Sequence, residues 1–393
     1  MIHIFFSISQ SFKNLILHIA SILFFSKQRS ACRNILVLRS SRFGDFINAM
    51  PALYLLRKEF PSAHIVLYLV PSADKISGQR TADFGYKDIL KHGIVDESIC
   101  YKISSLKSVF SHEVKKKISS FNPDMTLMLP FSGENLKSRL KKLIFLRLLG
   151  VKKNVYGWRM HWTLDIFKRY LFEHQLIEHQ ILGPLRALNE VGIQFVIPDD
   201  IRFPVRTDEI VVKYVNGLWK KLNLLGKKII AFFPGGTFRH KRWSPEKFIQ
   251  LGKQLSKDDN IVIIVLGGNN ERRISDQICS ALPCKIHNLA GELDYIQLAE
   301  VLRRSSVFIG NDSGPAHLAS AVGCPSVTIF SSIVYPGIWE PWNFFEYAVR
   351  SEVDCKYCFS EHACANNSQK CIESISVEKV LGAVCKVLTP RNM

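Results

Sequence analysis

Four short stretches carry side chains suited to acting on a phosphorylated donor. In Asn311-Asp312-Ser313-Gly314-Pro315-Ala316-His317 an apolar run ends, a small turn follows and an apolar helical pattern begins. The N–H groups and dipole of such a helix start attract anions. Gly314 lets a phosphate approach the backbone, and His317 falls in the first turn. The structural alternative is a plain helix capped by Asp312 or Ser313. Pro234-Gly235-Gly236-Thr237 is followed by Arg239, His240, Lys241 and Arg242, a concentration of cations suited to a leaving diphosphate; a solvated basic loop is the alternative. In Gly267-Gly268-Asn269-Asn270-Glu271 a carboxylate beyond a strand end can accept hydrogen bonds from ribose hydroxyls. Gly44-Asp45 ends the earliest strand-like run, and a carboxylate there suits a general base for an acceptor hydroxyl. Asp45 is equally placed to be the N-cap of a helix starting at Phe46.

Apolar runs followed by helical periodicity place these residues. Ile35–Leu38, a helical pattern through Ile47, Met50, Leu53 and Leu56, and His64–Val70 form a βαβ unit, its strands apolar enough for a parallel sheet covered on both faces. Strands are expected at 98–102 and 125–129, and Pro198–Pro204 reads as the approach to a linker. A second series follows, with strands at 228–233, 261–266, 307–310 and 326–330 and a helix started by Ser244 and Pro245. Two doubly wound domains follow from this, with sites at the carboxyl ends of their strands in a cleft between them. The divisions expected are 1–33, 34–205, 206–350 and 351–393.

The chain has 393 residues, 47% hydrophobic and 22% charged, the balance of a globular protein. Lys and Arg number 52 against 34 Asp and Glu, a formal charge of +18. That excess suits a phosphorylated substrate or an anionic membrane surface. Nucleic acid ranks below these, since no binding-module signature is present. Residues 1–33 are largely apolar, with Lys27, Arg29 and Arg33 at their end. They read as an interfacial amphipathic helix, against the alternatives of a helix packed on the protein's own surface or a signal or spanning segment.

Taken together, Ser41-Arg42-Phe43-Gly44-Asp45 with Pro51, Pro234-Gly235-Gly236 with Lys241-Arg242-Trp243, and Asn311 to Ala319 resemble glycosyltransferase family 9, the ADP-heptose:lipopolysaccharide heptosyltransferases and their relatives. The resemblance runs from about Ile35 to the C-terminus. It implies an α/β GT-B fold of two Rossmann-like domains with a C-terminal helix crossing back to the first. The activity it implies is inverting, metal-independent transfer of heptose from ADP-heptose to a lipid-linked lipopolysaccharide core, on the cytoplasmic face of the membrane and with no cofactor. Carried onto matching positions, Asp45 is the base and Lys241 meets the diphosphate. Gly235, Gly236, Thr237, Asp312, Ser313, Gly314 and His317 hold the donor, with Glu271 on the ribose. Arg42 and Gly44 lie toward the acceptor. The alternatives are a relative using another nucleotide sugar, or a GT-B protein that binds nucleotide or glycan without turnover. An NAD-dependent oxidoreductase is disfavoured by the single glycine after the first strand.

Other residues are weaker candidates. Cys355, Cys358, Cys364 and Cys371 fall within 17 residues. They suit disulfides, a zinc site or an iron–sulfur cluster, a structural group in each case. Trp339 and Trp342 read as packing or an adenine platform, and His174 and His179 as weak acceptor candidates. Arg39, Arg42, Arg57 and Lys137 read as mostly solvated cations that can attract acidic core sugars.

Overall fold

The computed structural model describes residues 32–40, 43–70, 93–100, 112–130, 136–151, 154–157, 178–199, 201–282, 285–354, 364 and 369–389. Residues 1–31, and with them most of the expected interfacial helix, lie outside this set, as do Ser41, Arg42, His174, Cys355 and Cys358. The chain divides into two units, Met1–Pro204 and Val205–Met393.

In the first unit the elements run β1 (Asn34–Ser40), α1 (Phe43–Glu59), β2 (His64–Val70), β3 (Glu97–Cys100), α2 (His112–Phe121), β4 (Met125–Met128), α3 (Leu136–Leu148), β5 (Val155–Tyr156) and α4 (Leu182–Asn189). The strands form a parallel sheet in the order β3-β2-β1-β4-β5. Side chains alternate across it. Leu36, Leu38, Val66 and Tyr68 form a core with Val114 and Ile118 of α2 and Leu146 and Leu149 at the end of α3. The alternate residues Ile35, Val37, Ile65 and Leu67 are also fully buried. Both faces are therefore covered, as the unbroken apolar strands require. The third strand begins one residue earlier than expected and ends at Cys100.

The second unit contains α5 (Glu209–Lys221), β6 (Lys228–Phe233), α6 (Pro245–Leu255), β7 (Ile261–Val265), α7 (Arg272–Ser280), β8 (Ile286–Asn288), α8 (Tyr295–Arg303) and β9 (Val307–Asn311). Then come α9 (Gly314–Ala321), β10 (Ser326–Phe330), β11 (Ala348–Arg350), α10 (Lys370–Glu373) and α11 (Val377–Leu388). Its parallel strands are ordered β11-β10-β9-β6-β7-β8. Ser244 accepts from the Lys247 amide and caps α6, with Pro245 at its start. The C-terminal helix α11 buries Val377, Val380 and Val384 in a core shared with Phe232, Ile263, Ile309 and Ile329. Each such fully buried side chain contributes roughly 1.5–3 kcal/mol.

Both sheets reverse strand order once on either side of their first strand, between β1 and β4 and between β6 and β9. Loops leaving adjacent strands diverge there and open a crevice at the carboxyl edge. The residues with chemistry follow β1, β6, β7 and β9.

A buried acid ties α8 to the segment that enters the second unit. The Glu300 side chain is 7% exposed. It accepts from Thr207 (3.0 Å) and Arg304 (2.8 Å) and pairs with Arg303, which also donates to the Val205 carbonyl (2.8 Å). Burial alone would raise its pKa. The bonds from Arg304, Thr207 and Arg303, with the Arg303 charge, outweigh that and hold it below the ordinary value. Because the folded value lies below the unfolded one, near 4.3, its contribution is complete above that pH and disappears as pH falls through the folded value. Glu300→Gln should cost about 1–3 kcal/mol at pH 7. The gap between the two unfolding curves should close below about pH 4, and a gap independent of pH would rule this account out.

Candidate active site

Asn311, the last residue of β9, organises the carboxyl edge of the second sheet. It is fully buried. Its Oδ1 accepts from the Trp243 amide (2.9 Å), and its Nδ2 donates to the carbonyls of Pro234 (2.8 Å) and Gly235 (3.0 Å). Two acceptors on one side and a donor on the other leave no freedom to exchange the amide's oxygen and nitrogen. One side chain thus joins the loop after β6, the basic segment before α6 and the end of β9. The motif Asn311–His317 was legible, yet nothing in its residue types assigned this role to Asn311.

Trp243 fixes the far end of the basic segment. It is fully buried, edge-on to Phe248 with ring centroids 5.1 Å apart, and its ring N–H donates to the Ile375 carbonyl (2.9 Å). Anchored at Trp243 and curled into a short 3-10 turn over Arg239–Lys241, the chain presents Lys241 toward β9. The Lys241 ammonium lies 2.9 Å from Asp312 Oδ2, with the two side chains 16% and 10% exposed. Arg242 folds back to donate to the Gly236 carbonyl (2.7 Å). Gly236 has φ +150°, a conformation L side chains rarely adopt. Thr237 is exposed.

Ser313 occupies the N-cap position of α9, but its side chain does not cap the helix. Its hydroxyl donates instead to the Asn311 carbonyl (3.1 Å). The plain capped-helix alternative is therefore not what forms. The helix start, with Gly314 half-buried beside it, adjoins the Lys241–Asp312 pair. His317 is buried and edge-on to Trp339, centroids 6.2 Å apart. The Trp339 loop is held by Glu340, which accepts from the Gly337 and Trp339 amides and pairs with Arg350 at 2.7 Å.

Glu271 enters the same edge from β7. It ends a 3-10 turn and accepts from the Gly268 amide (3.0 Å). A Cβ at Gly235 would run into the Glu271 side chain, and one at Gly267 would lie 2.6 Å from its Cβ. The glycines of two separate motifs are thus explained by the same carboxylate side chain, which packs against both loops. Burial, and then the Glu271 charge, push the Tyr295 hydroxyl above its ordinary pKa. Gly235, Gly236, Lys241, Glu271, Asp312, Ser313, Gly314 and His317 therefore line the carboxyl edge of one sheet around its reversal point.

The first unit has its own buried organiser. Arg39, near the end of β1, is 1% exposed. It donates to the carbonyls of Leu129 (2.9 Å) and Pro130 (2.9 Å) beyond β4 and of Asp45 (2.9 Å) in α1. It joins the two loops that diverge at that sheet's reversal point. Reading Arg39 as a solvated cation is thus corrected: strand ends that converge at the reversal point present three carbonyls in the fixed geometry a planar guanidinium can meet, which compensates much of the water it loses. Arg57 is likewise engaged, pairing with Asp96 and donating to the Ala63 carbonyl (2.7 Å). Asp45 is half-buried. The helix begins at Phe43, so Asp45 belongs to its first turn and is not its N-cap; Gly44 precedes it there, half-buried. His179 is buried, its Nδ1 accepting from the Ile181 amide (3.2 Å), a local structural role. Cys364 and Cys371 are half-buried and buried, and Cys364 Sγ accepts from the Gln369 amide (3.4 Å).

Comparison with known proteins agrees with this architecture. Residues 208–368 match the family model described as Glycosyltransferase family 9 (heptosyltransferase). The chain is 25% identical over 345 residues to lipooligosaccharide heptosyltransferase 2 of Campylobacter jejuni, covering 86% of this chain and 93% of that relative. Among solved structures, the family 9 glycosyl transferase of Veillonella parvula superposes with a TM-score of 0.65 at 18% identity, covering 91% of this chain and 97% of that one. The ADP-heptose LPS heptosyltransferase II of Escherichia coli does so at 0.59 and 18%, covering 90% and 98%. The parallel sheets of the two units are those of a GT-B fold, and residues 208–368 are similar to glycosyltransferase family 9.

Proposed function

We infer that this glycosyltransferase moves heptose from ADP-heptose to a hydroxyl of the lipopolysaccharide inner core, with inversion and without a catalytic metal. The observation that carries the reading is the Lys241–Asp312 pair, set beside a helix start whose N-cap residue Ser313 turns its hydroxyl away from the helix amides. The names of the C. jejuni and E. coli relatives support the sugar and the acceptor class.

In this reading the diphosphate lies along the loop after β6 and the start of α9. As the bond from C1 to the phosphate oxygen breaks, its electron pair passes to ADP. Lys241 and the α9 dipole meet that charge as it grows, which stabilises the transition state more than the ground state. Asp312 aims the ammonium before the donor arrives. Glu271 accepts from the ribose hydroxyls. Asp45, the first unit's carboxylate at its own reversal point, takes the acceptor proton as the acceptor oxygen attacks C1 from the face opposite ADP. Arg39 holds the Asp45 backbone for that role. The positive charge the leaving group needs comes from protein groups, which is the basis for metal independence.

ADP release from ADP-heptose with a heptose-deficient core acceptor tests this. Asp45→Asn should lower kcat by about 10²–10⁴-fold, and turnover at the wild-type rate would remove Asp45 as base. Lys241→Ala should lower kcat by about 10²–10³-fold. A chelator should leave the wild-type rate unchanged. Turnover with a different nucleotide sugar but none with ADP-heptose would reassign the donor and leave the base intact.

Asn311→Ala removes three hydrogen bonds and leaves two carbonyls and an amide buried. It should cost about 2–4 kcal/mol of stability and lower kcat/KM by at least about tenfold as the loops separate. Asn311→Asp has nearly the same shape but sets an oxygen against the Pro234 and Gly235 carbonyls, and should do no better. Thermal denaturation beside the ADP-release assay checks both, and wild-type stability for Asn311→Ala would show that the three loops are held some other way.

A further inference from the structure

Helix α3 is apolar on two faces. Leu146 is fully buried and Phe145 stacks on Tyr68, centroids 5.8 Å apart, so this face lies on the sheet. Leu140, Ile144 and Leu148 point the other way and are 41%, 58% and 54% exposed. Spaced four apart, they form one stripe about 80° wide along the outer face. Exposed Arg147 lies about 20° beyond one edge of that stripe and exposed Lys141 about 20° beyond the other. From Leu136 to Asn154 the sequence contains seven Lys and Arg and no Asp or Glu. Among the described residues, the exposed apolar pair Ile210 (79%) and Tyr214 (44%) of α5 instead adjoins Asp208 and Glu209.

We propose that the outer face of α3 is a docking surface for an anionic phospholipid bilayer, with Leu140, Ile144 and Leu148 entering the headgroup–acyl boundary and Lys141 and Arg147 lying among the headgroups. An apolar stripe along a helix bordered by cations, in a stretch without acids, is the pattern of a helix that lies in the membrane interface. The long stems of Lys and Arg cover apolar surface while their charges stay in water. Charge also selects against a second copy of the chain: a two-fold contact through this stripe sets Lys141 and Arg147 against their own copies. The surface deepens the proposed function, since a lipid-linked acceptor is presented at such a bilayer, but its evidence is independent of the donor sugar.

The full chain, mixed with phosphatidylglycerol–phosphatidylethanolamine vesicles, should sediment with them and should bind phosphatidylcholine vesicles weakly. The double variant Ile144→Gln/Leu148→Gln should lower the partition coefficient at least about tenfold. Lys141→Gln should lower it about fivefold at low salt and little at high salt. Both variants should keep wild-type ADP release with a deacylated, water-soluble acceptor, which shows that fold and chemistry survive. Equal partitioning of the double variant and wild type would overturn the proposal by placing membrane contact elsewhere, residues 1–33 included. So would a wild-type chain that ignores anionic vesicles, or a double variant that loses oligomeric mass with its partitioning unchanged. Failure to turn over ADP-heptose would count against the donor assignment only.

Discussion

The buried amide of Asn311 is the contact on which the candidate site of the second unit depends. A side-chain amide taken wholly out of water costs several kcal/mol unless its hydrogen-bonding groups are met. Here it is met by a backbone amide and two carbonyls from loops distant in sequence. The energy is ordinary, about 1 kcal/mol net per bond. The geometric effect is larger, because no pairwise contact could set the spacing of three loops at once. Lys241 reaches Asp312 because Trp243 is pinned both to Asn311 and to Ile375 beside the C-terminal helix. The C-terminal segment therefore bears on the candidate site in part through this fully buried indole.

Arg39 plays the corresponding part in the first unit. Each parallel sheet has one point where neighbouring loops diverge, and that point leaves backbone carbonyls without strand partners. Burying a polar group across the gap satisfies them. The first unit uses a guanidinium, which serves three carbonyls at once. The second uses an amide, which also accepts from Trp243. The difference suits their surroundings: a fixed positive charge helps to hold a carboxylate-bearing turn, whereas a neutral group leaves the positive potential of the donor edge to Lys241 and the helix dipole.

Excess positive charge is divided between two uses. At the donor edge the cations are partly buried and aimed, and Lys241 is already held by Asp312 before any anion arrives. On α3 they are exposed and border apolar surface. In the proposed function the first arrangement meets one diphosphate. The second, in the docking we propose, meets an extended surface on which no single phosphate matters. The described residues contain no helix long and apolar enough to cross a membrane.

Apolar strand runs, their alternation with helical periodicity and the glycine-punctuated turns after β6, β7 and β9 were enough to derive two doubly wound units; the family came from the resemblance carried by the Asp45, Lys241 and Asp312 motifs. Those signals are local, set by backbone sterics and by which faces must be buried. The Ser244–Pro245 helix start was legible for the same reason. The role of Asn311, the burial of Arg39, the place of Asp45 inside a first turn and the outward face of α3 were not. Each depends on which loops meet across a sheet, and residue type does not specify that. An arginine reads as solvated until converging carbonyls surround it, and a leucine reads as core until the sheet beneath its helix is already covered. Composition and periodicity therefore determined the elements and the chemistry available to them, while tertiary packing alone decided which polar groups were buried together and which apolar groups were left facing out.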